Sequence, residues 1–287
     1  MYKDTTFSAF TICCRKKNYS FTRPVVMGIL NATPDSFYDG GRYLGAAAIE
    51  ARARQIVEEG ADIIDIGVVS SRPGALLLSP EEEAQRLVPV VEQVRQLYPE
   101  ALISVDTCFS LPARMAVQAG ADIINDISGG QFDEAMFETV AQLQVPYILM
   151  HTQGTPDHMQ DNPHYEDILQ DVALYFSERV DKLHRLGVCD IILDPGFGFA
   201  KTLDDNYRLF NRLPQLQQLF PQLPLLVALS RKSMMYRLLG TTPQEVLPAT
   251  LALDILAINQ GAQLIRVHDV KEAVQSVNVW MKLQQCK

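Results

Sequence analysis

The sequence predicts an α/β protein of the (β/α)8 class, a TIM barrel preceded by a short β-hairpin. A helix-ending glycine runs directly into an apolar stretch at Gly60-Ala61-Asp62-Ile63-Ile64. The phrase returns at Gly120-Ala121-Asp122-Ile123-Ile124, Gly187-Val188-Cys189-Asp190-Ile191 and Gly261-Ala262-Gln263-Leu264-Ile265. The returns are 60, 67 and 74 residues apart, about two βα units of ~30 residues each. Further apolar runs at 102–105, 146–150 and 225–229 lie between them, and with the opening run at 25–30 they bring the strands to eight. Continuous apolar runs mark strands buried on both faces by helices. A doubly wound sheet also fits this alternation, but no Gly-rich phosphate turn recommends it.

Taken in order, residues 11–22 read as a hairpin with Arg15-Lys16-Lys17-Asn18 as its turn, placed to cap the bottom of the barrel. The first buried strand, 25–30, breaks into Asn31-Ala32-Thr33-Pro34-Asp35, where Pro34 ends regular structure and polar groups begin. Good helix formers and an apolar stripe follow at 45–59. Ser79-Pro80-Glu81-Glu82 supplies an N-cap, a first-turn proline and a capping-box glutamate. Leu87, Val90, Val91, Val94 and Leu97 then share one helix face. Tyr165, Ile168, Leu169, Val172, Phe176, Val180 and Leu183 form a similar stripe. No linker or low-complexity tract interrupts the pattern, so residues 1–287 are expected to form one domain.

The balance of 25 Lys and Arg against 34 Asp and Glu gives a net charge of −9, which argues against nucleic acid or an anionic membrane as a general partner. An anionic small molecule held by a local basic cluster is compatible with it. The five cysteines, Cys13, Cys14, Cys108, Cys189 and Cys286, are odd in number and contain no CxxC. Neither a disulfide framework nor a zinc site is expected, and a reducing cytoplasm fits best. The N-terminus lacks the apolar core of a signal peptide, and no run of ~18 apolar residues occurs anywhere. The expectation is a soluble, cytoplasmic protein.

In a barrel the chemistry sits at the C-terminal ends of the strands. Those ends deliver Asn31, then Ser70, Ser71, Arg72 and Pro73, then Asp106, Asn125 with Asp126, and His151 with Gln153. They continue with Asp194 and the loop Pro195-Gly196-Phe197-Gly198-Phe199-Ala200-Lys201, then Ser230, Arg231, Lys232 and Ser233, and finally Arg266, His268 and Asp269. Arg72, Lys201, Arg231, Lys232, Arg266 and His268 form a cationic set suited to a diphosphate. Asp106, Asn125 and Asp194 are acceptors suited to a flat heterocycle with a row of N–H donors, such as an aminopyrimidinone.

Simpler readings compete at each position. Asp106 alone is more often a cap than a catalytic group, and Asn125-Asp126 serves equally well to turn the chain into Gly129-Gly130. Cys108 reads as a packed loop thiol, since no histidine is tied to it in sequence. His151, His158 and His164 have spacings that fit no helical ligand pair, so surface or loop positions are expected. Lys232 as a Schiff-base lysine is the minor reading.

The run Met27-Gly28-Ile29-Leu30-Asn31-Ala32-Thr33-Pro34-Asp35-Ser36-Phe37-Tyr38-Asp39-Gly40-Gly41 closely resembles the first signature of the dihydropteroate synthase family of folate biosynthesis. The resemblance continues through 62–75, 104–107, 122–130, 150–160, 194–202, 230–233 and 266–272, nearly the whole chain after the hairpin. It departs from the family pattern at Val68-Val69, where Gly-Glu is commoner, at Ser71, where Thr is, and at Ala200 and Ala228, where Gly is frequent.

The resemblance implies a barrel, commonly dimeric, that condenses a pterin methyl diphosphate with p-aminobenzoate to dihydropteroate and releases pyrophosphate with Mg2+ assistance. It implies that Asp106, Asn125, Asp194 and Lys232 hold the pterin, and that Asn31, Arg72, Arg266 and His268 handle the diphosphate and its Mg2+, with Asn31 as the metal ligand. Ser71, Arg72, Ser233 and the loop carrying Asp35 and Phe37 are implied to form the p-aminobenzoate subsite, the one that sulfonamides mimic. The loops at 32–43 and 70–79 are long for βα connections, and closure over diphosphate and Mg2+ is expected of them. Two rivals differ in kind: a pterin-dependent methyltransferase, which would dispense with the diphosphate group, and a non-catalytic pterin-binding barrel.

Overall fold

The computed structural model describes residues 7–32, 42–69, 78–154 and 163–286. A hairpin of β1 (Phe10–Cys14) and β2 (Lys17–Phe21) comes first. The barrel strands follow as β3 (Val25–Asn31), β4 (Ile63–Gly67), β5 (Leu102–Asp106), β6 (Ile123–Asp126), β7 (Tyr147–Met150), β8 (Ile191–Asp194), β9 (Leu226–Val227) and β10 (Leu264–Val267). Between and after them run α1 (Arg42–Glu58), α2 (Pro80–Leu97), α3 (Ser110–Ala119), α4 (Met136–Leu143), α5 (Ile168–Arg185), α6 (Leu203–Phe210), α7 (Leu213–Leu219), α8 (Ser233–Leu239), α9 (Leu247–Asn259) and α10 (Val270–Gln285).

The eight barrel strands lie in the order β8-β7-β6-β5-β4-β3-β10-β9, and each neighbouring pair in that order is parallel. The ring is completed by one parallel bridge, Leu193 to Leu225, with the Leu193 amide donating to Pro224 O at 2.9 Å. This seam is the thinnest part of the barrel. The strand expected at 225–229 is only two residues long, because the chain beyond Val227 turns off toward the site.

Side chains alternate across each strand, and the burial pattern follows that parity. Val25, Ile63, Leu102, Ile123, Ile148, Ile192, Leu226 and Leu264, one from each barrel strand, form a single apolar cluster. Their neighbours Val26, Ile64, Ile103, Ile124, Leu149, Leu193, Val227 and Ile265 belong instead to the larger core that includes the helices. Ile12 and Cys14 of the hairpin join the inner cluster, with Phe10, Tyr19 and Phe21 against it, so the hairpin closes the lower end of the barrel. Its turn is shorter than the sequence suggests. Cys14 pairs with Lys17, and only Arg15 and Lys16 turn the chain, both at positive φ (50° and 60°), as a two-residue hairpin turn requires.

The recurring glycine junction has a common mechanical role. Gly60, Gly120, Gly187 and Gly261 all have positive φ (91°, 118°, 87° and 108°), the left-handed bend that ends a helix. In three of the four junctions the side chain two residues on reaches across to the preceding strand. Asp62 accepts from the Val26 amide at 2.9 Å, Asp122 from Ile103 at 2.8 Å and Gln263 from Leu225 at 2.9 Å. These groups work at the lower end, away from the strand ends that bear the chemistry.

The Ser79 capping box of α2 forms as expected, with Ser79 Oγ accepting from the Glu82 amide at 3.2 Å and Glu82 returning to the Ser79 amide. Leu87, Val90, Val91 and Val94 are buried, but Leu97, at the last turn, is 39% exposed and does not share their face. In α5 the stripe Ile168, Val172, Phe176, Val180 and Leu183 is buried; Tyr165 precedes the helix and sends its hydroxyl to Ala200 O at 2.7 Å.

Candidate active site

Two residues beyond each member of the apolar inner layer, the same parity places Met27, Asp65, Ser104, Asn125, Met150, Asp194, Ala228 and Arg266 on the interior face. One further step along the strands reaches Asp106, Ser230 and His268. The inner wall thus turns from aliphatic to ionic within about one strand pair spacing, and its upper end is the mouth of the barrel.

At its centre is Arg266. Its guanidinium donates from Nε to Asp65 Oδ2 at 2.7 Å and from Nη2 to Asp106 Oδ2 at 2.9 Å, with Nη2 also 2.6 Å from Asp65 Oδ2. Asn125 Nδ2 donates to the same Asp65 oxygen at 3.4 Å. One arginine therefore ties together strands β4, β5 and β10, and Asn125 adds β6. Burial pushes the Asp106 carboxyl up while Arg266 opposes it, and the two carboxylates together raise the arginine further.

Asp194 ends β8 and is buried, with Oδ1 accepting from the Gly196 amide at 2.8 Å. Burial pushes its carboxyl up; that amide, Lys232, Lys201 and Arg266 act the other way. Lys232 is half-buried at the N-cap of α8, and its Nζ stands 4.0 Å from the centre of the Phe199 ring, a cation–π arrangement. Burial lowers its pKa to about 8, against the pull of Asp194. Gly198, at φ 80°, passes so close that a Cβ there would lie 3.1 Å from Lys232 Cδ. Ser233 follows as the first residue of α8.

His268 is held by Ser230. The His268 amide donates to Ser230 Oγ at 3.2 Å, and Oγ lies 2.9 Å from Nδ1. Burial, with Arg266 and Arg231 nearby, lowers its pKa to about 3, so the ring is neutral at physiological pH. Asn31 ends β3 and is exposed; its Oδ1 and the Asp106 carboxylate both lie within 4 Å of the point where a Cβ on Gly67 would sit, at 3.7 and 3.9 Å.

The structure therefore brings Asn31, Asp106, Asn125, Asp194, Lys232, Ser233, Arg266 and His268 to one end of the barrel. Phe37, Asp35, Ser71, Arg72 and His158 lie outside the described residues, as do the loops of which they are part. The cationic set is smaller than the sequence suggests. Arg231 is engaged by both oxygens of Asp269, at 2.6 and 3.1 Å. Lys201 is buried on Gly196 O, Phe199 O and His151 Nδ1. His151 is a buried partner of Lys201, not a surface histidine.

Asp126 has the opposite parity to Asn125 and points away from the interior. It accepts from the Ser128 and Gly130 amides and from Tyr147 Oη, at 2.7, 2.8 and 2.6 Å, and so shapes the turn. Asn125-Asp126 is thus one site residue and one turn residue. Cys108 is buried with its thiol pKa pushed well up by burial and by Asp126, and it is no nucleophile.

Sequence reading missed Asp65 and Arg52. Asp65 was legible as a carboxylate in the middle of the apolar strand Ile63-Ile64-Asp65-Ile66, where only a buried partner makes it tolerable. Arg52 gave no such signal; from α1 it donates to Ile29 O at 3.1 Å and to His268 O at 2.7 Å, clamping β3 to β10 just below the mouth.

Comparison with known proteins is consistent over most of the chain. Residues 27–268 match the pterin binding enzyme family. The dihydropteroate synthase of Escherichia coli K12 is 45% identical over 260 residues, covering 90% of this chain and 91% of that protein. The crystal structure of Yersinia pestis dihydropteroate synthase with a sulfonamide drug superposes with a TM-score of 0.89 at 40% identity, covering 96% of this chain and 100% of that one. The Xanthomonas albilineans dihydropteroate synthase with 4-aminobenzoic acid gives 0.88 at 38% identity, covering 96% and 99%.

Proposed function

The chain belongs to the pterin-binding enzymes, among their dihydropteroate synthases, and from that membership we propose how its residues divide the reaction. The reaction joins 6-hydroxymethyl-7,8-dihydropterin diphosphate to p-aminobenzoate, giving 7,8-dihydropteroate and pyrophosphate. The observation that carries the assignment of roles is the convergence of Asp65, Asp106, Asn125 and Asp194 on the barrel interior, with Arg266 and Lys232 among them.

Asp194 accepts from the amino and ring N–H groups of the pterin, and Lys232 donates to its carbonyl and ring nitrogen. Asn125 and Asp106 complete the pterin edge. In the chemical step the arylamine nitrogen bonds to the pterin methylene carbon while the carbon–oxygen bond to diphosphate breaks. Pyrophosphate leaves with the bonding pair, and the amine proton passes to solvent. An arylamine is weakly basic and requires no strong general base, so the catalytic demand falls on the departing charge. Asp106 and Asp194 favour positive charge developing on the pterin. Arg266 and His268 face the diphosphate. With the Ser230 hydroxyl as donor to Nδ1, the neutral imidazole carries its proton on Nε2 and offers it as a hydrogen-bond donor.

Among the described residues no group of three His, Cys, Asp or Glu is disposed to hold a metal ion. A single amide oxygen, Asn31 Oδ1, stands at the rim beside Asp106. This donor set fits a cation that keeps mostly phosphate and water ligands, as Mg2+ does. Asn31 would hold the ion, which when bound supplies positive charge to the leaving diphosphate. Ser233, Ser71, Arg72 and Phe37 are assigned to p-aminobenzoate, and sulfonamides are expected to compete there.

A cytoplasmic homodimer is the assembly we favour. No helix among the described residues is long and apolar enough to cross a membrane. A cleft of about 530 Å³ between α9 and α10, lined by Leu251, Ile255, Val279, Trp280 and Leu283, offers an apolar face for a second copy. Product formation from the pterin diphosphate and p-aminobenzoate tests the reaction. Asp194→Asn tests the pterin assignment: an NH2 group turned toward donors should weaken pterin binding by ~2–4 kcal/mol and leave the KM for p-aminobenzoate little changed. Unchanged pterin affinity would remove Asp194 from the site.

A further inference from the structure

Lys201 is buried to 3% exposure, and the reaction described above gives it no task. Its Nζ donates to Gly196 O at 2.9 Å, to Phe199 O at 3.1 Å and to His151 O at 3.5 Å, and lies 2.9 Å from His151 Nδ1. An ammonium has three N–H donors, and these four acceptors engage them all. A buried ammonium loses its hydration, so a chain that keeps one needs a structural reason for it.

That reason lies in what these bonds hold. The turn they brace contains three residues at positive φ, Gly196 at 69°, Gly198 at 80° and Ala200 at 46°. Its own backbone closes with the bond from Phe199 N to Gly196 O at 3.1 Å. On the outer side Asn206 accepts from the Gly198 amide at 2.7 Å and donates to Lys201 O and Thr202 O at 3.3 and 2.7 Å. On the inner side Lys201 is the brace. The turn has two outputs into the site: the Gly196 amide aimed at Asp194 Oδ1, 2.8 Å away, and the Phe199 ring beneath Lys232 Nζ, 4.0 Å away.

We propose that Lys201 is a positioning residue for the pterin half of the site, fixing through one turn the direction of the Asp194 carboxylate and the ring on which Lys232 rests. The inference depends on the reading that Asp194 and Lys232 hold the pterin. Lys201 acts through these two residues. Burial lowers the Lys201 pKa to about 7, and in its charged form Lys201 works in the same sense, as one of the cations that oppose the upward push of burial on Asp194.

Lys201→Met keeps the length of the stem and removes every donor. The affinity for 6-hydroxymethylpterin, measured by calorimetry, should fall about tenfold, the scale of one lost hydrogen bond to a charged group. The KM for p-aminobenzoate at saturating pterin diphosphate should change less than about twofold. Lys201→Gln keeps two N–H donors without the charge and should recover part of the pterin affinity. A fall in pterin affinity smaller than about threefold overturns the proposal, as does an equal loss for both substrates. If thermal melting shows that Lys201→Met does not fold, His151→Ala decides. It deletes the imidazole acceptor and leaves the three backbone carbonyls, and weaker pterin binding at unchanged p-aminobenzoate KM is then the expected result, unchanged pterin binding the contrary one. Asp194→Asn run alongside separates the two readings, because normal pterin binding in that variant defeats the site assignment itself.

Discussion

Arg266→Met should destabilise the fold as well as slow the reaction. The guanidinium makes bonds of 2.7 and 2.9 Å to Asp65 and Asp106, and Asp65 is completely buried with its second oxygen unpartnered. Without the arginine, Asp65 keeps only the Asn125 amide at 3.4 Å. Leaving a buried carboxylate unpaired costs about 3–5 kcal/mol, a large share of the roughly 5–15 kcal/mol by which a domain is stable. The sign with pH follows from Asp106. Burial already raises its pKa, and Arg266 is the largest influence opposing that rise. In the variant the folded-state value climbs further above the unfolded one, so stability is retained at acid pH and lost as pH rises through the new value. Urea unfolding at pH 5 and pH 8 should show the larger deficit at pH 8. Adding Asp65→Asn removes the orphaned charge and should return roughly 2 kcal/mol, the coupling of a contacting pair. A deficit below ~1 kcal/mol, or simple additivity of the two substitutions, would refute the reasoning.

Asp254 in α9 is 1% exposed, neither of its oxygens has a hydrogen-bond partner, and burial pushes its carboxyl up to about 8 with help from Asp269. Its folded-state pKa lies above the unfolded one, so stability present at acid pH is lost as pH rises toward 8; Asp254→Asn should match the parent near pH 4 and exceed it at pH 8 by several kcal/mol at most, about 1.4 kcal/mol for each pKa unit. Thermal melts across pH check this, and a difference independent of pH refutes it. Ala200 sits at φ 46°, where a Cβ costs ~1–2 kcal/mol. Ala200→Gly recovers that and gives back ~0.4–1 kcal/mol in unfolded-chain freedom, so a small gain in melting temperature with unaltered pterin affinity is expected, and a clear loss of stability would count against the strain. Excess chelator should stop turnover and leave 6-hydroxymethylpterin bound; full activity in chelator would sink the leaving-group account.

The barrel was readable because its determinants are local and repeated: a glycine that ends a helix at four places about two βα units apart, each followed by a largely apolar run. The position of the site followed from topology alone. Parity was the harder matter. Asn125 and Asp126 are adjacent and chemically similar, yet one faces the interior and the other the turn, and only strand pairing says which. Charge counting misled for a related reason. Lys201, Arg231 and His268 look like three cations at strand ends, but the fold buries the first on carbonyls, pairs the second with Asp269 and deprotonates the third. Their partners are up to 50 residues away in sequence or come from another loop, so no local pattern announces them. Asp65 carried a local signal, a carboxylate where none should be; its partner, Arg266, lies 201 residues on.

The hairpin gives the barrel a stopper. Ile12 and Cys14 seal the inner layer from below, and above them the aliphatic floor of Val25, Ile63, Leu102 and their counterparts is continuous. The cavity is therefore a vessel with one neck. On the proposed assignment, dihydropteroate and pyrophosphate leave by the opening through which the next pterin diphosphate enters, and the pterin, held by the residues nearest the floor, is the last to be freed. Traffic through that neck is single file: whatever lingers at the rim blocks both the exit of product and the reloading of the floor.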